Sequence, residues 1–189
     1  GLQHTNYPVS YPEQNDVLKS YMMLIHKSNY NADKRIYNND FIGPSSYTLQ
    51  MMNVAELLEN SNIPNIRNNY TVTEKADGDR HLLFINSNGR IYLINTNMNV
   101  IFTGAITKIK EYFNSLIDGE LILNDSNGEF INLFAAFDIY YINNNDVRSY
   151  SFMPGSPEKD VSKCRYPLLK NLITKLNPIS VEHPEKNMM

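Results

Sequence analysis

Hydrophobic and polar positions follow two different periods along this chain. Before residue 70, apolar residues recur at helical spacing, and the pattern predicts a capped amphipathic helix at 15–26 and a short helix at 53–60. From residue 70 onward, apolar and polar residues alternate between turn signals. This second pattern predicts an antiparallel meander with strands at 70–74, 80–86, 90–95 and 100–103.

The pattern continues with alternating elements toward the end of the chain. It predicts a short helical segment at 108–114, a hairpin with strands at 116–123 and 130–142 that turns at 126–128, a loop at 143–145 and a second helix at 161–176. Helices wrapped around antiparallel strands indicate an α+β fold, in which a groove between sheets could hold a ligand. The polar stretch at 29–40 predicts a linker, which divides the chain into an N-terminal helical segment at 1–40 and a larger unit at 41–189.

A cluster of charged residues follows the first predicted strand. Lys75, Asp77, Gly78 and Arg80 stand in K-x-D-G-x-R spacing. A lysine amine can attack the α-phosphorus of a nucleoside triphosphate only when it is neutral, so a nearby cation such as Arg80, with partial burial, would lower its pKa. Gly78 would allow a tight turn, Asp77 could orient the amine or a magnesium ion, and Arg80 could bind ribose or phosphate oxygens. The alternative is a charged hairpin turn.

Two further acidic motifs lie inside predicted strands. One is Asp118-Gly119-Glu120, and the other places Asp138 directly after Phe137. A carboxylate in a strand is costly to bury unless it binds something, which in a nucleotide site would be a ribose hydroxyl or a magnesium ion. The alternatives are a bulge or turn that leaves Asp118 and Glu120 in water, and a strand-end acid at Asp138 that caps a neighbouring turn.

Composition excludes several classes of site. The single cysteine, Cys164, allows no internal disulfide or thiolate zinc cluster, and the four histidines are scattered. With 189 residues, 42% hydrophobic content and a net charge of −3, we expect one sizeable core and no dominant basic face. No apolar run reaches the length of a membrane span, and the start has no secretion-signal pattern.

Five basic residues stand close together in the last part of the sequence. A solvated helix face is favoured for them over an RNA-binding patch: Lys159, Lys163, Arg165, Lys170 and Lys175.

The three motifs occur in the order and rough spacing of the covalent nucleotidyltransferases, the superfamily that joins mRNA capping guanylyltransferases with ATP-dependent polynucleotide ligases. The segment from Phe41 to Leu49, with Gly43-Pro44 and Thr48-Leu49, resembles the segment that precedes the nucleophile strand in capping enzymes. This favours capping over ligation. The Asn-, Tyr- and Ile-rich composition resembles proteins of AT-rich genomes, and the chain looks most like the guanylyltransferase domain of a large DNA virus, with the nucleotidyltransferase/DNA ligase-like fold.

The resemblance implies a role for each matched residue. Lys75 would become a lysyl-N-GMP, Arg80 would hold the ribose, and Glu120 would approach the ribose or a Mg²⁺ or Mn²⁺ ion. Phe137 would stack on the base, a role for which Phe134 competes, and Asp118 would serve the metal or its surroundings. The nucleotide-binding residues implied in this way are Lys75, Asp77, Gly78, Arg80, Glu120 and Phe137.

The resemblance also implies a longer protein. The later family motifs, a Glu-Gly-hydrophobic strand and a Lys-x-Lys pair, have no convincing match, and no OB-fold domain follows. Residues 41–189 would therefore be the front portion of a nucleotidyltransferase domain, weak or inactive alone. The implied substrates are GTP and 5′-diphosphate RNA, with other capping domains or subunits as possible partners, no membrane, and a location in the cytoplasm of an infected cell or in the virion. The alternatives are an ATP-dependent ligase domain and a non-catalytic scaffold.

Overall fold

Seven strands form one antiparallel sheet in the part of the chain that the structure describes. The computed structural model describes residues 7–56, 62–68, 70–155 and 160–182. The strand order across the sheet is β6-β5-β4-β1-β2-β3-β7. The strands are β1 Asp79–Ile85, β2 Arg90–Asn95, β3 Val100–Ile106, β4 Ser115–Asn124, β5 Phe130–Ile142, β6 Asn145–Asp146 and β7 Ile179–Ser180. The expected α+β class is confirmed, and so is the antiparallel meander for the strands predicted at 80–86, 90–95 and 100–103.

Among the described residues, three α-helices accompany the sheet: α1 Tyr11–His26, α2 Met51–Val54 and α3 Arg165–Lys175. Helix α1 begins after Ser10, whose side chain accepts a hydrogen bond from the backbone N–H of Glu13. It therefore starts four residues before the predicted helix and ends where predicted. Short 3₁₀ turns lie at Lys27–Asn29, Asn38–Asp40, Lys110–Tyr112 and Val161–Lys163.

The sheet has an apolar cluster on each face because successive strand side chains point to opposite sides. Leu82 and Phe84 lie in the cluster that contains the buried side of α1. Leu83 and Ile85 lie in the cluster that contains the buried side of α3. Burial on both faces explains why strand β1 reads as a nearly continuous apolar run.

Some predicted elements are wrong. Residues 70–77 form no strand, and Val72 is 96% exposed. Apolar alternation alone cannot make a strand there, because a strand needs a neighbour to receive its backbone hydrogen bonds. The predicted helix at 108–114 shrinks to the 3₁₀ turn Lys110–Tyr112, and the one at 161–176 divides into a 3₁₀ turn and α3. The second half of the predicted helix at 53–60 lies outside the described residues.

Two strands carry the acidic motifs into the interior of the fold. The Asp118-Gly119-Glu120 motif stays within β4, where Arg80 pairs with Glu120 and Leu82 with Asp118 across the β1–β4 ladder. Between β4 and β5, Asp118 pairs with Asp138 and Gly119 with Ala136, so Phe137 forms a bulge. The alternative in which a turn leaves Asp118 in water is wrong, because Asp118 is fully buried.

Candidate active site

A groove of about 690 Å³ lies between residues 70–76, the β4–β5 strands and the start of α3. It brings together four residues that the sequence singled out: Lys75, Glu120, Phe137 and Asp138. Phe152, Arg165 and Tyr166 close the side formed by α3 and the segment before it. The lining combines apolar and aromatic side chains with five charged residues: Glu74, Lys75, Glu120, Asp138 and Arg165.

Lys75 lies at the rim of the groove with its amine exposed. Its Nζ lies 2.6 Å from Oδ1 of Asp77, and the two side chains are 81% and 93% exposed. The hydrogen bond and charge of Asp77 raise the pKa of Lys75, and Glu120 adds a smaller effect in the same direction. The expectation that its surroundings lower the pKa of Lys75 is therefore wrong for the nucleotide-free chain.

Arg80 does not act on Lys75 because its guanidinium is committed elsewhere. Nε and Nη2 donate to the two carboxylate oxygens of Asp118 at 3.1 and 2.6 Å, and Nη1 donates to the backbone oxygen of Pro44 at 2.6 Å. The guanidinium carbon also lies 5.6 Å from the ring centre of Phe41 and 5.9 Å from that of Phe137. The hydrogen bond to Asp118 raises the pKa of Arg80.

Asp118 is the buried partner that fixes Arg80. Its side chain is fully buried, and it accepts hydrogen bonds from Arg80 and from the hydroxyl of Tyr140. Burial, followed by the charge of Asp118, raises the pKa of Tyr140 far above its usual range. Both Asp118 oxygens are thus engaged by protein donors, so a metal ion could bind them only in competition with Arg80 and Tyr140. The metal role of Asp118 stays a prediction.

Two glycines permit close packing around this network. A Cβ on Gly43 would come 2.5 Å from the ring of Phe41 and 2.7 Å from Nη2 of Arg80. A Cβ on Gly78 would come 2.6 Å from the backbone oxygen of Leu121 on β4. Gly78 does not have a positive φ. Its place in the motif therefore reflects the contact between backbones rather than the tight turn that we expected.

Glu120 presents an unsatisfied oxygen near the groove. Its Oε2 is buried and has no hydrogen-bond partner among the described residues. A buried acceptor without a donor costs about 1–3 kcal/mol, which a bound ligand that donates to it would recover. A ribose hydroxyl or a metal ion fits this oxygen. Within the described ranges, no three His, Cys, Asp or Glu side chains form a group that could hold a metal by themselves.

Arg165 is the site residue that sequence reasoning missed. Its Nε and Nη2 donate to the carboxylate of Asp138 at 2.8 and 3.3 Å, and Nη1 donates to the backbone oxygens of Tyr150 and Arg148. Its side chain is only 19% exposed. The prediction that Arg165 lies on a solvated helix face is therefore wrong. The signal was Asp138 itself, because a carboxylate that is largely removed from water, as this one is with 18% of its side chain exposed, requires a positive partner.

Comparisons with known proteins agree with the resemblance drawn from the motifs. Residues 9–181 match the family described as mRNA capping enzyme, catalytic domain. A probable mRNA-capping enzyme of Acanthamoeba polyphaga mimivirus is 32% identical over 148 residues, which make up 78% of this chain and 11% of that protein. The chain thus spans about a tenth of the length of this relative. In the part of the chain that the structure describes, no helix is long and apolar enough to cross a membrane.

Proposed function

The chain belongs to the family of mRNA capping enzyme catalytic domains, and we propose that it carries out mRNA guanylyl transfer through Lys75. In this reaction GMP passes from GTP to the diphosphate 5′ end of RNA. The observation that carries the proposal is the groove that Lys75 shares with the unsatisfied Glu120 oxygen and the half-exposed ring of Phe137. These residues supply a nucleophile, an acceptor for a ribose hydroxyl and a flat apolar surface for a base.

In the first step, the neutral amine of Lys75 attacks the α-phosphorus of GTP. A P–N bond forms, the bond from the α-phosphorus to the bridging oxygen of the β-phosphate breaks, and pyrophosphate leaves. The nitrogen then loses a proton to give a lysyl-N-GMP. Lys75 is mostly exposed in the free chain, so water can accept both this proton and the one lost before attack.

In the second step, a terminal phosphate oxygen of 5′-diphosphate RNA attacks the same phosphorus. The P–N bond breaks as the nitrogen regains a proton, and the GMP is joined to the RNA end. The net charge of −3 supplies no general attraction to RNA, so the RNA must be held by a local patch. The path of the RNA and any further capping domains or subunits belong to the whole protein and are part of the proposal.

We also propose roles for the other groove residues. Phe137 stacks on the base, an interaction worth about 1–3 kcal/mol where base stacking has been tested by alanine substitution. Glu120 binds a ribose hydroxyl or a divalent ion. Mg²⁺ usually takes one or two carboxylates together with substrate phosphates, so Glu120 alone fits such a site, and Mn²⁺ could replace Mg²⁺. The ion, when bound, would neutralise charge that develops on the phosphates.

Arg80 needs a revised proposal. Its donors bind Asp118 and Pro44, and its charged plane lies near the Phe137 ring. We therefore propose that it supports the wall of the groove and reaches the ribose only through donors that it does not use in the free chain. The location of the reaction, in the cytoplasm of an infected cell or in the virion, is a proposal that rests on the similarity to a viral protein.

The test is a covalent labelling experiment on the natural full-length protein that contains these residues. The protein is incubated with GTP or ATP labelled at the α-phosphate and with Mg²⁺, and label that survives denaturation is measured. We expect a guanylate adduct that is absent in Lys75→Ala and present in a control with a distant exposed lysine changed, Lys108→Ala. An adenylate adduct would indicate a ligase instead, and the absence of any adduct from folded protein would indicate a non-catalytic scaffold.

A further inference from the structure

Phe137 lies next to two arginine–aspartate pairs. The Arg80 guanidinium carbon lies 5.9 Å from the ring centre while Arg80 binds the buried Asp118. The residue that follows Phe137, Asp138, binds Arg165 with a closest distance of 2.8 Å. Asp118 and Asp138 are paired directly across β4 and β5. The two ion pairs therefore meet at one rung of the sheet, next to the bulge that holds Phe137.

A bulge needs such support because its residue is not fixed by the strand ladder. Arg165 supplies the support from α3, of which it is the first residue. Its guanidinium donates to Asp138 and also to the backbone oxygens of Arg148 and Tyr150. The Asp138 carboxylate is thus tied to the helix start and to the segment after β6. A lysine could not replace these contacts, because an ammonium has no planar fork.

We propose that Arg165 is a positioning residue for the nucleotide base. By holding Asp138, it fixes the bulge of β5 and keeps the Phe137 ring in the orientation in which it stacks on the base. This inference rests on the proposed function, since it needs a base in the groove. Arg165 also lines the groove, so the proposal must be distinguished from a direct contact between Arg165 and the ribose or the phosphates.

Two ligands separate these roles. One is a GTP analogue with a methylene bridge between the α- and β-phosphorus, which binds without transfer, and the other is the same compound without the base. Equilibrium binding of both is measured with the full-length protein. We expect Arg165→Met to weaken binding of the GTP analogue about fivefold or more. Its affinity for the ligand without a base should stay within about twofold of the natural value. The affinity of Arg165→Lys for the GTP analogue should be closer to that of Arg165→Met than to that of the natural protein.

A double-mutant cycle with Phe137→Ala gives the second readout. If Arg165 acts through the ring, Arg165→Met has no further effect on the GTP analogue once Phe137 is an alanine. The control is Arg90→Met, which removes another arginine that pairs with a carboxylate and packs on aromatic rings, outside the groove. It should leave both affinities unchanged.

Several results would overturn the inference. They are an equal weakening of the binding of both ligands, additive effects of Arg165→Met and Phe137→Ala on binding of the GTP analogue, and no effect of Arg165→Met on the binding of either ligand. If Arg165→Met does not fold, Asp138→Asn enters the same cycle, because it keeps the shape of the side chain while removing its charge. If the natural protein forms no covalent adduct, that result counts against the proposed function. If it forms the adduct but the effects of the two substitutions are additive, the result counts only against the role of Arg165.

Discussion

The Nζ of Lys75 and the Oδ1 of Asp77 lie 2.6 Å apart at the rim of the groove. The hydrogen bond and the charge of Asp77 raise the pKa of Lys75, and a protonated amine cannot attack phosphorus. For the proposed transfer, the amine must therefore lose its proton once the nucleotide is bound. Asp77 favours the protonated form of the lysine in the free chain.

The first prediction concerns the pKa of Lys75 in the nucleotide-free protein. Asp77→Asn removes the hydrogen-bonding carboxylate that is the main cause of the raised pKa. We expect the pKa of Lys75 to fall, so that a larger fraction of the amine is neutral at any given pH. The measurement is the pH dependence of Lys75 labelling by an amine-reactive reagent, read by mass spectrometry.

Lys170, an exposed lysine on α3, provides an internal control in the same digests. Its labelling profile should be the same in the natural protein and in Asp77→Asn. If the profile of Lys75 also stays the same, Asp77 does not control the protonation of the nucleophile, and the ion pair has no part in the reaction.

The second prediction concerns the buried carboxylate of Asp118. Asp118→Asn leaves the charge of Arg80 without its partner in a site where the Arg80 side chain is only 26% exposed. Breaking a buried pair by removing one partner is strongly destabilising, so we expect the free energy of unfolding to fall by about 3 kcal/mol. Urea denaturation measures this change, provided that the m-value stays constant.

The matched control is Asp146→Asn, which breaks the bidentate pair between Asp146 and Arg148. That pair is more exposed, with side chains 34% and 42% accessible, so its loss should cost less than about 1 kcal/mol. Equal losses in the two variants would show that burial of Asp118 adds nothing to the strength of its pair with Arg80.

The regular part of the fold was readable from the sequence. Strands β1, β2 and β5 lie within one residue of their predicted bounds, because alternating apolar runs between asparagine- and glycine-containing turns allow few other structures. The strand predicted at 70–74 is wrong for a reason that no local pattern contains. Its apolar residues needed a neighbouring strand, and whether one exists depends on the whole fold.

The candidate site, too, could be predicted only in part from the sequence. The comparisons confirm the resemblance to capping enzymes that the motifs gave, while the individual site residues remain predictions. The pairing of Asp138 with Arg165 joins positions 27 residues apart, and the contacts of Arg80 with Pro44 and Phe41 join positions 36 and 39 apart. Such contacts depend on how helix, loop and sheet pack, which periodicity and motif spacing do not specify.

The third prediction concerns Glu120, whose buried Oε2 has no partner among the described residues. Glu120→Ala removes this unsatisfied group, so the free energy of unfolding should stay the same or rise slightly. Binding of the GTP analogue should weaken about tenfold to a hundredfold, the loss of a good hydrogen bond to a charged group. Calorimetric titration with and without Mg²⁺ measures this affinity.

The dependence on Mg²⁺ shows which ligand Glu120 binds. A loss of affinity that appears only with Mg²⁺ would indicate a metal ligand, and a loss in both conditions would indicate a ribose hydroxyl. If the affinity is the same as in the natural protein in both conditions, Glu120 does not belong to the site.

The last prediction separates two reasons for a glycine in the K-x-D-G-x-R motif. In Gly78→Ala the new Cβ would come 2.6 Å from the backbone oxygen of Leu121, which must shift, and we expect a loss of about 1–3 kcal/mol in unfolding free energy. Gly128→Ala is the comparison, because Gly128 has a φ of +82° with open space around it, so its cost of about 1 kcal/mol would come from backbone conformation alone. Urea denaturation of both variants gives the two costs. If Gly78→Ala is as stable as the natural protein, the close approach of residue 78 to β4 is not what requires a glycine there.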